Sequence, residues 1–151
     1  TQGVSSAASD VYKRQVYTLA PRARVLCMAQ SADDLLVQTA AVLASGGTAL
    51  WPSAHAGLRA KLPTHVQAQV ILQDNALSDG TVALDAVLHH GDAASLQTVC
   101  TTLARRPGPI VGVTALQPGA TNIPLERLLI ERALSVNTAA AGGNASLMTI
   151  G

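Results

Sequence analysis

Phenylalanine is absent from this 151-residue chain, and one tryptophan and two tyrosines are all the aromatic side chains it has. A core must therefore be aliphatic, and the stacking platforms used by binders of single-stranded nucleic acid are missing. Charge is scarce as well: 13% of residues are charged and the formal net charge is +1. No dense Lys/Arg block supplies the basic face that displaces counterions from phosphates, which excludes nucleic acid as a partner of this stretch. No apolar run approaches the roughly 20 residues of a membrane helix, which excludes membrane insertion. The first residues lack the charged start and apolar stretch of a secretion signal, so the chain reads as soluble and cytosolic. The two cysteines, Cys27 and Cys100, make no metal or disulfide pattern; each sits in an apolar-periodic segment and reads as a small core residue. What is abundant is small and aliphatic: 48% of the chain is hydrophobic, with 27 alanines and 12 glycines. That suffices for one domain and not for two.

The opening TQGVSSAASDVYKRQ is polar and follows neither hydrophobic period. It joins abruptly to Tyr17 and Ala20-Pro21-Arg22, and it resembles a translated sequencing-adapter read-through. Residues 1–15 are accordingly set aside as a non-native segment; a natural flexible terminus is the alternative. On that expectation the chain is a fragment whose missing part lies upstream.

From residue 16 onward the pattern is strand and helix in alternation. Arg24 to Ala29 is a short apolar run that suits a buried strand. Ser31, Asp33 and Asp34 signal a helix start, Leu35, Leu36, Thr39, Val42 and Leu43 give it an apolar face, and Gly46-Gly47 stop it. Thr48 to Trp51 is the next strand, ended by Pro52. Residues 53–64 read weakly as helix. A strand is expected within His65 to Leu72 (VQAQVIL), another over Leu84 to His89, a helix from Asp92 to about Arg106 stopped by Pro107-Gly108-Pro109, and a fifth strand over Ile110 to Thr114. Short strands without alternation, separated by helices, indicate an open, mostly parallel α/β sheet covered on both faces. After Gln117-Pro118-Gly119, residues 125–130 suggest a helical turn passing into a strand by about residue 132. The final TAAAGGNASLMTIG has too little bulk for a core of its own, and such a tail either frays or is clasped by another surface.

Few residues carry chemistry. His89-His90-Gly91-Asp92 falls after a strand and before a helix, where ligands bind in open parallel sheets and where helix N–H groups can meet an anion. Adjacent strand histidines point to opposite faces, so they do not readily share a metal. The plainer reading is a helix entry capped by Asp92. The first strand's turn, Ala29-Gln30-Ser31-Ala32, lacks the glycines of a dinucleotide fingerprint. Cys27 lies in a strand and Cys100 in a helix, and neither makes a credible nucleophile. No catalytic residue and no metal site is expected. Arg105-Arg106, Glu126-Arg127 and Glu131-Arg132 read as surface charges.

The order of residues in SVNTAAAGGNASLMTIG, within Leu125 to Gly151, resembles the carboxyl-terminal end of the proline utilization A family of bifunctional bacterial flavoenzymes. Residues 24–116 resemble a degenerate nucleotide-binding domain of the aldehyde dehydrogenase superfamily, which implies a Rossmann-like sheet over 16–119 and a flap strand with a tail over 120–151. In that resemblance Trp51 of Ser45-Gly46-Gly47-Thr48-Ala49-Leu50-Trp51-Pro52-Ser53 stands where a working domain carries the lysine that reaches the adenosine ribose. Leu88 to Asp92 stand at the turn beside the cofactor phosphates, leaving His89, His90, Gly91 and Asp92 as weak cofactor candidates. Ile110 to Thr114 stand at the strand that leads to the catalytic glutamate. The resemblance implies a parent that oxidises proline to glutamate with FAD at one site and NAD at the other, in the bacterial cytoplasm or peripherally on a membrane. It implies no cofactor in this stretch. Its part would be to cover the passage between the two sites and to dock on the dehydrogenase and proline dehydrogenase modules of the same chain. The docking residues would be Asn137, Thr138, Gly142, Gly143, Asn144, Ser146, Leu147 and Met148. Small side chains permit the close backbone approach such docking needs, and a strand near 132–137 can extend an exposed sheet edge.

Overall fold

A computed structural model describes residues 13–137 of the chain. It forms two compact units, Ala20–Ile130 and a smaller one holding the ribbon formed by the first and last strands.

The first strand, β1 (Lys13–Pro21), is followed by β2 (Arg24–Met28) and helix α1 (Ala32–Ala44). The local signals set the bounds of α1. Ser31 has an extended backbone and its Oγ accepts the Asp34 N–H at 3.0 Å, filling an otherwise unpaired donor of the first turn. At the other end Gly46 adopts φ +88°, a conformation costly for any residue with a Cβ, while the N–H groups of Gly46 and Gly47 return to the carbonyls of Leu43 and Val42. Strand β3 (Thr48–Trp51) ends at Pro52 as expected. Beyond it come a 3-10 turn (Ser53–His55), the short helices α2 (Ala56–Arg59) and α3 (Thr64–Gln67), and β4 (Val70–Leu72). The strand expected within His65 to Leu72 is thus confined to its last three residues. Pro63 opens a helical turn instead: its carbonyl accepts the N–H groups of Val66 and Gln67, and the Gln67 side chain bonds back to the Leu62 carbonyl.

Strand β5 (Ala86–His90), helix α4 (Ala93–Arg105) and β6 (Gly112–Leu116) complete the sheet. The fifth sheet strand lies two residues later than Ile110 to Thr114. Pairing decides this, because Ala86 sits opposite Gly112 and His90 opposite Leu116, and Ile110 is left outside the ladder, fully exposed. The order is β4-β3-β2-β5-β6, and all four pairings are parallel. Alternate residues of β2 feed two cores. Val25 and Cys27 join Leu35, Val42, Trp51, Leu88 and Leu128 on one face, while Leu26 joins Leu50, Val87 and Val99 on the other. The open, doubly covered α/β sheet read from the sequence is borne out. Cys27 belongs to the core, but Cys100 is exposed, because α4 turns Val99 rather than Cys100 toward the sheet.

The ribbon pairs β1 with β7 (Leu129–Asn137), which follows a 3-10 turn at Leu125–Leu128. It is antiparallel: the Arg22 N–H donates to the Leu128 carbonyl and the Thr18 hydroxyl to that of Arg132, so partners move in opposite directions. Nothing in the sequence reading foresaw β1, which begins inside the segment set aside as residues 1–15. Tyr17 and Leu19 on one face of the ribbon, and Leu134 in its other strand, are all exposed.

Candidate functional site

Beside β2 the chain reverses its direction of travel across the sheet, toward β4 on one side and β6 on the other. The crevice at the carboxyl ends of β2 and β5 is therefore the switch point at which open α/β sheets bind ligands. Its walls are the turn after Met28 and the turn His89-His90-Gly91-Asp92, so the sequence reading put these four residues at the correct edge. Their chemistry there is inward.

His90 is 2% exposed and uses both ring nitrogens. Nε2 lies 2.9 Å from the carbonyl oxygen of Ala120, which can only accept, so Nε2 carries the proton. Nδ1 then accepts from the Gln38 amide at 2.8 Å, and the same amide nitrogen donates to the Met28 carbonyl at 2.9 Å. One side chain of α1 thereby joins the ends of β2 and β5 and the turn after β6. Gln38 was not foreseen as part of this site; a glutamine on the apolar face that carries Leu35 and Val42 is the signal that marks it. Its Oε1 has no partner.

His89 is 4% exposed and faces the other way, as alternation requires. Its Nδ1 is buried without a partner. Burial pushes the imidazole below its usual pKa, opposed by the nearby Asp92 carboxylate. The ring lies against Gly91, where an added Cβ would come within 2.5 Å of His89 Cε1 and 2.6 Å of Ser95 Oγ. Asp92 caps α4, its Oδ1 accepting the Ser95 N–H at 2.8 Å, and the bonds from Ser95 hold the carboxyl below its ordinary pKa. The plainer reading of this segment, a capped helix entry, describes what the residues do.

The α1 entry is similarly filled. Ser31 caps it, and Asp34 Oδ1 accepts the Gly119 N–H at 3.0 Å. At both helix N termini the protein's own oxygens occupy places an anion would take. Trp51, at the position that the resemblance assigns to a ribose-binding lysine, is wholly buried, and its indole N–H donates to Thr39 Oγ1 at 2.9 Å. The crevice beside His89 and His90 is about 180 Å³, bounded also by Met28, Ala29, Gln30, Pro52 and Ser95. Ligand pockets usually measure about 300–1,000 Å³. A neighbouring hollow of about 290 Å³ runs along the Gln73–Ser78 loop. The residues present do not fit a dinucleotide: the lysine, the glycine-rich turn and the open helix N termini are replaced.

Elsewhere the Cys27 thiol is pushed up to about 12 by burial, far from a nucleophile's range. Among the described residues no three His, Cys, Asp or Glu side chains gather as a metal site. No acidic residue follows Asp92 until Glu126, so β6 leads to no carboxylate. Of the expected docking residues, Asn137 ends β7, and Thr138, Gly142, Gly143, Asn144, Ser146, Leu147 and Met148 lie outside the described residues.

Fold and site together define an open, parallel α/β domain of Rossmann-like topology whose switch-point crevice, about 180 Å³, is bordered by polar groups that bond within the protein. No protein-family model matches the chain. It is similar to the bifunctional protein PutA of Salmonella typhimurium, 52% identical over 143 residues, and to that of Escherichia coli, 50% identical over the same length; each match covers 92% of this chain and 11% of the relative. The bifunctional protein PutA of Rhizobium meliloti is 39% identical over 149 residues, or 93% of this chain and 12% of the relative. The resemblance drawn from the terminal sequence is borne out: the chain is related to one stretch of the PutA proteins and spans about 11% of their length.

Proposed function

We propose that this chain is a noncatalytic docking module of a bifunctional enzyme that oxidises L-proline to L-glutamate, with FAD at its proline dehydrogenase site and NAD at its L-glutamate γ-semialdehyde dehydrogenase site. In this reading the module covers the passage between the two sites, and its terminal segment, Asn137 with Thr138 to Met148, docks on the dehydrogenase module. The observation that supports the reading is the engagement of polar groups around the switch-point crevice, where Asp92 and Ser31 cap their own helices and His90 bonds to Gln38 and Ala120. A module built to cover needs a rigid sheet and no cofactor of its own. No helix among the described residues is long and apolar enough to cross a membrane, which agrees with a cytoplasmic enzyme that meets membranes only peripherally. Deleting Thr138 to Gly151 from the full-length enzyme is expected to reduce coupled proline-to-NADH turnover. Unchanged kinetics would remove the idea.

A second reading, residual NAD(P) binding, is favoured by the crevice's position at the switch point. Calorimetric titration of the chain with NAD separates the two. The docking reading expects no heat of binding in the submillimolar range, and a clear isotherm there would replace it.

A further inference from the structure

Between β4 and β5 stands the one Asp-Gly step of the chain, Asp79-Gly80. A separate requirement holds each residue there. A Cβ on Gly80 would stand 2.6 Å from both the ring and the carbonyl oxygen of Pro107, so this close approach to the end of α4 needs glycine. Asp79 makes the turn. Its Oδ1 accepts the Thr81 N–H at 2.8 Å and the Thr81 hydroxyl at 2.7 Å, and its carbonyl accepts the Val82 N–H at 3.2 Å. Packing and turn geometry thus set an exposed carboxyl group beside a backbone nitrogen that no side chain of its own residue shields.

Aspartate followed by glycine is the aspartyl link most prone to rearrange through a cyclic imide. The Gly80 nitrogen attacks Asp79 Cγ, an N–C bond forms, a C–O bond breaks, and the carboxyl's hydroxyl group leaves with the amide proton as water. Water then opens the ring at either carbonyl. Breaking the new bond restores aspartate; breaking the original peptide bond leaves the chain running through Cβ and Cγ as isoaspartate. No oxidant or cofactor takes part.

Two features of the structure oppose this chemistry. The carboxyl loses its hydroxyl only when neutral, and the Thr81 hydroxyl, then the Thr81 N–H, hold it below its ordinary pKa, with Arg106 adding to the effect. The product also fits poorly. It lengthens the backbone by one CH₂ and adds a carboxylate where Gly80 lies against Pro107 and where Arg106 bonds to the carbonyls of Ala76 and Val82.

We propose that Asp79-Gly80 is a backbone modification site, a link that converts between its aspartyl and isoaspartyl forms at a rate held down by Thr81. The test keeps the 151-residue chain and a synthetic peptide of residues 75–84 in warm, mildly acidic heavy-oxygen water and samples both by peptide mapping. Each passage through the imide leaves a heavy oxygen at residue 79 whichever way the ring opens. Label and isoaspartate are expected at Asp79 ahead of every other aspartate, severalfold more slowly in the chain than in the peptide. Thr81→Val, an exposed substitution that keeps the N–H and the β-branched shape, is expected to speed the reaction severalfold in the chain. Thr81→Ser, which keeps the hydroxyl, should hold the original rate, and Asp79→Glu, whose imide needs a six-membered ring, should stop it. A peptide no faster than the chain, a Thr81→Val variant no faster than its parent, or faster labelling at another aspartate would overturn the proposal.

Discussion

The five-stranded sheet and the two-stranded ribbon are built from the same aliphatic stock, yet they use it in opposite ways. In the sheet Val25, Cys27, Ala49, Trp51 and Leu88 are completely withdrawn from water. In the ribbon Tyr17, Leu19 and Leu134 keep 61–68% of their surface exposed. A lone two-stranded ribbon is marginal in water. The contrast teaches that burial here follows from layers rather than from composition. Helices and loops cover both faces of the sheet, whereas among the described residues the ribbon leaves Tyr17, Leu19 and Leu134 largely open.

The contrast can be broken most sharply at Trp51. Replacing it with alanine removes the largest fully buried side chain and the indole N–H that Thr39 Oγ1 accepts, and is expected to cost about 3–5 kcal/mol in urea denaturation. A loss under about 1 kcal/mol would mean the sheet does not depend on its core as described. Gly91→Ala comes next. The added methyl meets the His89 ring and Ser95 Oγ, so a loss of about 1–3 kcal/mol is expected, with altered His89 ring resonances in NMR spectra.

Smaller still is a pH effect at His89. Its folded pKa lies below the unfolded value of 6.5, because burial disfavours the charged ring. As pH falls from neutrality through 6.5 the unfolded chain takes up the proton first, so stability drops until the folded pKa is also passed. His89→Leu, which cannot titrate, is expected to flatten that slope; identical pH profiles in thermal melts would refute the assignment. Least affected is the ribbon: Leu134→Ser should change the stability of the sheet by no more than about 0.5 kcal/mol, and a larger loss would erase the distinction between the two regions.

What the sequence disclosed was what local chemistry determines. Ser31 and Asp92 cap helices, Gly46 turns the chain, and Pro52 ends a strand, all through groups within a few residues. The missed features depend on distant partners. β1 is a strand because β7 pairs with it from more than a hundred residues away, and the bounds of β6 come from its register with β5. At the site, the position of His89 to Asp92 was legible from strand-then-helix order. Their engagement was not, since His90 is satisfied by Gln38 and Ala120, each far off in sequence. Cys100 misled because periodicity marks a helix's apolar side only to within one residue of its rim.

The link from β4 to β5 crosses the sheet without a helix, and Arg106 holds it from the end of α4 by donating to the carbonyls of Ala76 and Val82. Gly80 rests so close to Pro107 that a Cβ there would stand 2.6 Å from its ring. These contacts tie the crossing to the last turn of α4, so the two are expected to open together. Amide protons of the crossing should exchange in step with those near Leu103, at a rate governed by the fraying of the helix rather than by the loop's own length.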